Sequence, residues 1–218
     1  EEVAPILQLV LTSRERGDQQ RIPFCGVPHH SAKGYWIKLL KRGYKIAMAD
    51  QVEDPATAKG LVRREIIKIM TPGCIDEIEG LDADAPNYLL GLYEEPTKHI
   101  WSMALVDVST GEFRMTSSDN FDSILQAIQR YRPREILCRR FFISSLRQEL
   151  QARGDFSDFH IDALPEAVLR DKEEQRLVLD LAFQAKSMSE MPVGKIEGGE
   201  ALAASILTHI KSLQISLG

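Results

Sequence analysis

Between Asn87 and Ser118 three strand-like runs, NYLLGLYE, HIWSMALVDVS and GEFRMTSS, follow one another too closely for a helix to fit between them. The last two are joined by the turn Ser109-Thr110-Gly111, so the three are expected to pair as an antiparallel meander. Helices and strands then alternate. Residues 121 to 131 place Phe121, Ile124, Leu125 and Ile128 on one helical face. After Pro133 come the short apolar strand EILC, a helix over 144 to 152, the strand FHID, and helical stretches over 172 to 186 and 197 to 213. A meander followed by such alternation constrains the chain to an α/β sheet covered by helices.

Three antiparallel strands followed by alternating helices and strands is the order of an RNase H-like domain, expected here over residues 87 to 218. A smaller α/β unit precedes it over residues 1 to 74, for which a small mixed sheet is expected. EEVAPILQL reads as the end of a helix and Val10 to Thr12 as a short strand before a polar loop, SRERGDQQ. IPFCGVP, with a proline near each end, suits an edge strand or an extended loop. Ser31 is placed to cap a helix that carries Tyr35, Trp36, Leu39 and Leu40 at helical spacing and stops at Gly43. YKIAMADQ and LVRREIIKIM read as strands on either side of a helical turn in EDPATAKG. Residues 75 to 86, acidic and without periodicity, read as a linker.

Charge divides at the same place. Residues 1 to 74 hold 12 Lys/Arg against 8 Asp/Glu, a net +4, and the remainder holds 15 against 24, a net −9. The first unit alone has a sign suited to phosphate. No run of 18 apolar residues is present and 27% of residues are charged, which argues against a membrane span. Cys25, Cys74 and Cys138 are odd in number and far apart, with no zinc-type pair. They suit a reducing, cytoplasmic setting, and the acidic start, Glu1-Glu2, carries no secretory pattern.

The string IPFCGVPHHSAKGYWIKLLKRGYKIAMADQVEDPATAKGLVRREIIKIMTPG is similar almost throughout to the mismatch-recognition domain of the MutS family, through IPxxGxPxH, LLxxGYKxAxxxQ, EDPxxAKGLVxRE and TPG. Downstream, LVDVSTGEF resembles the entry to the MutS connector domain. The resemblance covers essentially the whole chain and is strongest up to residue 73 and around Asp107 to Phe113. It implies DNA mismatch repair by binding duplex DNA at mispaired or unpaired bases. It further implies a chain that carries recognition and connector parts without the ATPase. ATP and Mg, homodimer formation and MutL bound through the connector are then expected of the full-length protein.

The resemblance also nominates DNA-facing residues. Arg14 and Arg16 lie in the loop matching the one that approaches the duplex, Phe24 at the IPxxG position, His30 after the GVPH turn and Arg64 in VxRE. Each has a plainer alternative: core packing for Phe24, a turn or helix cap for His30, solvated charges for Arg14, Arg16 and Arg63. Alternation places Arg63 and Arg64 on opposite faces of a strand with apolar neighbours on both, so periodicity does not choose between them. One departure is plain: the family stacks the ring of a Phe-x-Glu motif on the mispaired base, and no Phe-x-Glu occurs in these 218 residues. Poor discrimination of mismatches is expected of the 218 residues.

Two other function classes compete. RNase H-like nucleases hold metals on carboxylates around a first aspartate, here Asp107, with Glu112, Asp162, Glu173, Glu174 and Asp180 as further candidates. The family match explains Asp107 instead as a turn residue. The acidic second unit also suits a purely protein-binding connector module. Nothing has the GxxxxGK[ST] spacing that cradles phosphates; Gly194-Lys195 with Gly198-Gly199 comes nearest. No enzyme activity and no cofactor are expected of this chain itself.

Overall fold

The computed structural model describes residues 1–16, 20–54, 60–75, 86–154, 159–183 and 192–213. The first unit opens with α1 (Val3–Leu7), closed by Gln8 in the left-handed region, followed by two antiparallel strands, β1 (Thr12–Arg16) and β2 (Gln20–Phe24). The polar run SRER is thus strand, while Val10 and Leu11 lie outside it and are exposed. Apolar content is a poor guide to a strand in a two-stranded ribbon such as this, because Thr12, Ser13, Ile22, Pro23 and Phe24 are exposed and the ladder itself defines the element. Pro23, which donates no backbone hydrogen bond, is tolerated because β2 has a partner on one side only.

After a single 3-10 turn at His29–Ser31 comes α2 (Ala32–Leu40). Ser31 precedes it, but its hydroxyl donates back to the Pro28 carbonyl at 3.1 Å and does not cap the helix. Gly43, at φ +80°, turns the chain into β3 (Ile46–Gln51), which pairs antiparallel with β4 (Arg64–Met70). Leu40 of α2 packs with Met70 and Ile75, with Trp36, Ile46 and Met48 around them. A β-bulge between Met48 and Ala49 shifts the register, so that Ala49 pairs with Ile66 and Gln51 with Arg64. The four strands described in the first unit therefore make two ribbons. The expected helical turn in EDPATAKG falls largely on residues 55–59, outside the described residues.

The second unit has the mixed sheet that the meander demanded. Strands β5 (Leu89–Glu95), β6 (Ile100–Asp107), β7 (Glu112–Ser118), β8 (Glu135–Cys138) and β9 (His160–Ala163) lie in the order β7-β6-β5-β8-β9. The first three run antiparallel, and β8 and β9 run parallel to β5. This is the RNase H-like arrangement. The strand residues at its centre are buried on both faces, as expected for strands covered by helices. One face, with Leu90, Leu92, Met103, Leu105 and Ile136, packs on Ile124, Leu125 and Ile128 of α3 (Phe121–Tyr131) and on α4 (Ile143–Ala152). Asn120 caps α3 by accepting from the Asp122 N–H at 2.9 Å. The other face meets α5 (Glu166–Arg170) and α7 (Gly199–Leu213), and α6 (Lys172–Phe183) packs against both and reaches Phe113 of β7 through Phe183. Gly91 permits this: a Cβ there would stand 2.4 Å from the Ile206 side chain of α7.

Between the units the chain is fastened rather than loose up to Ile75. Thr71 and Gly73 donate to one carboxylate oxygen of Glu135 on β8, the latter at 3.0 Å, and Asn87 donates to the Pro72 carbonyl at 3.0 Å. A Cβ on Gly73 would lie 2.7 Å from that of Glu135, so glycine is what allows the TPG turn to seat on the sheet. Ile75, read from sequence as the first linker residue, is buried; residues 76–85 lie outside the described residues.

Candidate nucleic-acid interface

The basic first unit presents two ribbons that are not hydrogen-bonded to each other. In β1–β2 the register sets Arg14 opposite Ile22, Arg16 opposite Gln20 and Thr12 opposite Phe24. The pleat assigns these positions to one face of the ribbon. The Arg14 and Arg16 side chains lie outside the described part of the structure. Phe24 is 48% exposed, with the Thr12 hydroxyl donating to its carbonyl at 3.1 Å. That exposure removes the core-packing alternative and leaves a ring on the surface beside Ile22, also exposed. His30 is exposed in the 3-10 turn ahead of α2.

The pair of arginines before β4 is divided by its partners. Arg63 precedes the strand; its guanidinium meets the Glu65 carboxylate at 2.7 Å and its N–H donates to Glu53 at 2.6 Å. Arg64 opens β4 opposite Gln51, is exposed, and has no ion pair or hydrogen bond from its side chain among the described residues. Ala49, Gln51 and Ile66, which share its face across the bulge, are exposed as well. Periodicity left the two arginines equivalent; the acids around Arg63 separate them. The ribbon arrangement does not join Arg64 to Phe24 in one sheet, and no signal in the sequence marked Ile22 and Ile66 as surface residues.

Asp107 is tied up structurally. It is buried, one oxygen accepts from the Ser109 N–H and hydroxyl at 3.0 and 2.6 Å, and the other accepts from the Asn87 N–H at 3.1 Å. Gly111, at φ +74°, completes the turn. Glu112 accepts from the Tyr88 hydroxyl at 2.9 Å and pairs with Arg114; Asp162 pairs with Lys45 of the first unit and accepts from the Ala163 N–H. Glu173, Glu174 and Asp180 lie on α6, where Asp180 pairs with Arg176. Among the described residues no group able to hold a metal includes Asp107. The turn reading therefore holds, and the nuclease alternative is not favoured.

Two glycines of the 194–199 region, Gly198 and Gly199, are accounted for by packing. A Cβ on Gly198 would meet the Tyr93 ring at 2.8 Å, and one on Gly199 the Val193 carbonyl at 2.4 Å. Gly198 thus lets the turn approach the sheet closely. No helix among the described residues is long and apolar enough to cross a membrane.

Comparison with known proteins agrees with this architecture. A family model described as MutS domain I matches residues 1–79, and one described as MutS domain II matches residues 87–216. A DNA mismatch repair protein MutS of Desulfitobacterium hafniense (strain Y51) is 47% identical over 134 residues, 62% of this chain and 15% of its own length. Its counterpart in Lachnoclostridium phytofermentans is 34% identical over 215 residues, 95% of this chain and 22% of its own length. That of Chlorobaculum tepidum is 37% identical over 214 residues, 96% of this chain and 24% of its own length. The chain thus spans less than a quarter of the length of these relatives.

Proposed function

The chain belongs to the MutS family, and from that premise we propose that it serves DNA mismatch repair by binding, not by catalysis: its first unit lies against duplex DNA and its second unit connects that event to the rest of a longer protein. The observation that carries the reading is Arg64, a guanidinium exposed on the outer face of a ribbon with no acidic partner among the described residues. Arg14, Arg16 and His30 add positive or polar groups along the same unit, and Phe24 an exposed ring. Contacts of this kind go to phosphate, fix register and carry no sequence information, which suits a protein that must act on any sequence. Selection of the lesion then falls to deformability, because a mispaired step is more easily kinked. In this reading ATP and Mg are used by the full-length protein outside these 218 residues.

The test is a salt titration of the whole chain against a homoduplex and the same duplex with one mismatch. We expect weak binding of both, with Kd of roughly 10⁻⁴ to 10⁻⁶ M near physiological salt and an affinity that falls steeply as salt rises. Little preference for the mismatch is expected, since no Phe-x-Glu is present to wedge the step. Absence of binding at low salt, or binding indifferent to salt, refutes the reading.

For the second unit the reading is coupling to MutL and to the ATPase. α6 exposes Leu177 and Leu181 on one stripe, at 60% and 66%, within an acidic unit. Leu181→Arg is expected to abolish capture of MutL while leaving duplex affinity unchanged; undiminished capture would remove α6 from the proposal.

A further inference from the structure

Directly under the TPG turn, three side chains from three separate elements converge: Cys74 after the turn, Glu135 at the start of β8, and His209 on α7. One ligand atom of each lies within 4.8 Å of the other two, and all three residues are buried, Glu135 completely. Glu135 is only half satisfied. Its Oε2 accepts from the Thr71 hydroxyl and the Gly73 N–H, while its Oε1 has no hydrogen-bond partner. Opposite that bare oxygen, at 3.7 Å, stands His209 Nε2, which has no hydrogen-bond partner either. The separation is too long for a hydrogen bond, and two buried polar atoms facing each other unbonded are costly.

The spacing suits two ligands of one ion. Bonds of about 2.0 to 2.1 Å from a tetrahedral centre leave a nitrogen and an oxygen ligand roughly 3.4 Å apart, close to the gap observed. We propose that Cys74, Glu135 and His209 form a binding site for a single zinc ion that bolts the first unit's closing turn to the sheet and last helix of the second. Thiolate, imidazole and carboxylate together favour zinc or cobalt over magnesium or calcium, which prefer all-oxygen shells. Thr71 and Gly73 act as the outer shell, orienting the carboxylate through the oxygen that faces away from the ion. A fourth position is left for water. On binding, the Cys74 thiol loses its proton to solvent, the Glu135 carboxylate binds as such, and His209 binds through the Nε2 lone pair with its proton on Nδ1.

The experiment titrates the untagged, metal-free whole chain with Co²⁺ and then Zn²⁺. One equivalent of cobalt is expected to give tetrahedral d–d bands in the visible and a thiolate-to-cobalt charge-transfer band in the near ultraviolet. Zinc should displace both and raise the Tm. Cys74→Ser should abolish the charge-transfer band and Cys25→Ser should leave it intact. Failure of the unmodified chain to bind a stoichiometric ion overturns the proposal, and this outcome does not depend on whether any variant folds. So does a charge-transfer band that survives Cys74→Ser, or a purely octahedral cobalt spectrum. Indifference of the Tm to zinc would instead mean that Glu135 and His209 close onto each other without an ion.

Discussion

Replacing Glu135 with alanine, in protein kept metal-free with a chelator, is expected to lower the Tm by roughly 10 °C, because about 4 kcal/mol is lost and each kcal/mol shifts a chain of this size by about 2 to 4 °C. The loss has three sources. The Thr71 hydroxyl and the Gly73 N–H are left buried without an acceptor, and a void opens where the TPG turn seats on β8. Glu135→Gln keeps an acceptor for both donors and is expected to retain most of the stability.

The parent chain and Glu135→Gln also differ in acid. Burial pushes the Glu135 carboxyl up, but the nearby His209, the Thr71 hydroxyl and the Gly73 N–H outweigh it and hold the group below its ordinary value. A carboxyl whose folded value lies below its unfolded one stabilises the fold above the unfolded value, about 4.3 for glutamate, and that stabilisation is lost as the pH falls through the folded value. Thermal melts from pH 7 downward should therefore show a steeper acid branch in the parent chain than in Glu135→Gln. Identical branches would mean that Glu135 does not titrate differently in the folded state, and an unchanged Tm in Glu135→Ala would mean that the TPG turn is not fastened through it.

Replacing Arg64 with alanine is expected to weaken homoduplex and mismatched duplex alike, by roughly tenfold at low salt or about 1.4 kcal/mol, the scale of one charge-assisted bond. It should also reduce the magnitude of the salt slope by about 1, as for loss of a single phosphate contact. Arg63→Ala should do much less, since that guanidinium already faces Glu65. Equal effects of the two substitutions, or an Arg64→Ala chain that fails to fold, would make the pair structural and remove it from the interface.

How much of this was legible beforehand varies with how far apart the determinants lie in the chain. The second unit's elements were readable because the strands within Leu89 to Asp107 are continuous apolar runs, Phe121 to Tyr131 carry their burial in helical periodicity, and the Ser109-Thr110-Gly111 turn fixes the meander. The strand over Thr12–Arg16 was not, since a ribbon with exposed residues leaves no apolar pattern to read. Ser31 stands where a cap belongs, yet its hydroxyl finds the Pro28 carbonyl, a local competition that composition does not reveal. Among the DNA-facing candidates, sequence could name Arg63 and Arg64 but could not see that Glu53 and Glu65 occupy one of them. The Cys74, Glu135 and His209 cluster was invisible for a different reason: its members are separated by the length of a domain, and only the sheet brings them together.

The bulge in the β3–β4 ribbon bears on which changes of chain length this region tolerates. Ile67 is the one residue of β4 without an opposite number, and the extra step reverses the alternation beyond it, so that Arg64 and Ile66 face outward with Ala49 and Gln51. Deleting Ile67 would remove the bulge and leave Arg64 opposite Gln51, whereas a one-residue slip that closed the bulge with every residue kept would carry Arg64 round to the side of Ile46 and Met48, against α2. Loops at the edge of the unit can lengthen or shorten without disturbing the ribbon. Within Arg64 to Met70 a gained or lost residue is neutral only where the bulge absorbs it, so the bulge, as much as the identity of the residues, decides which way Arg64 faces.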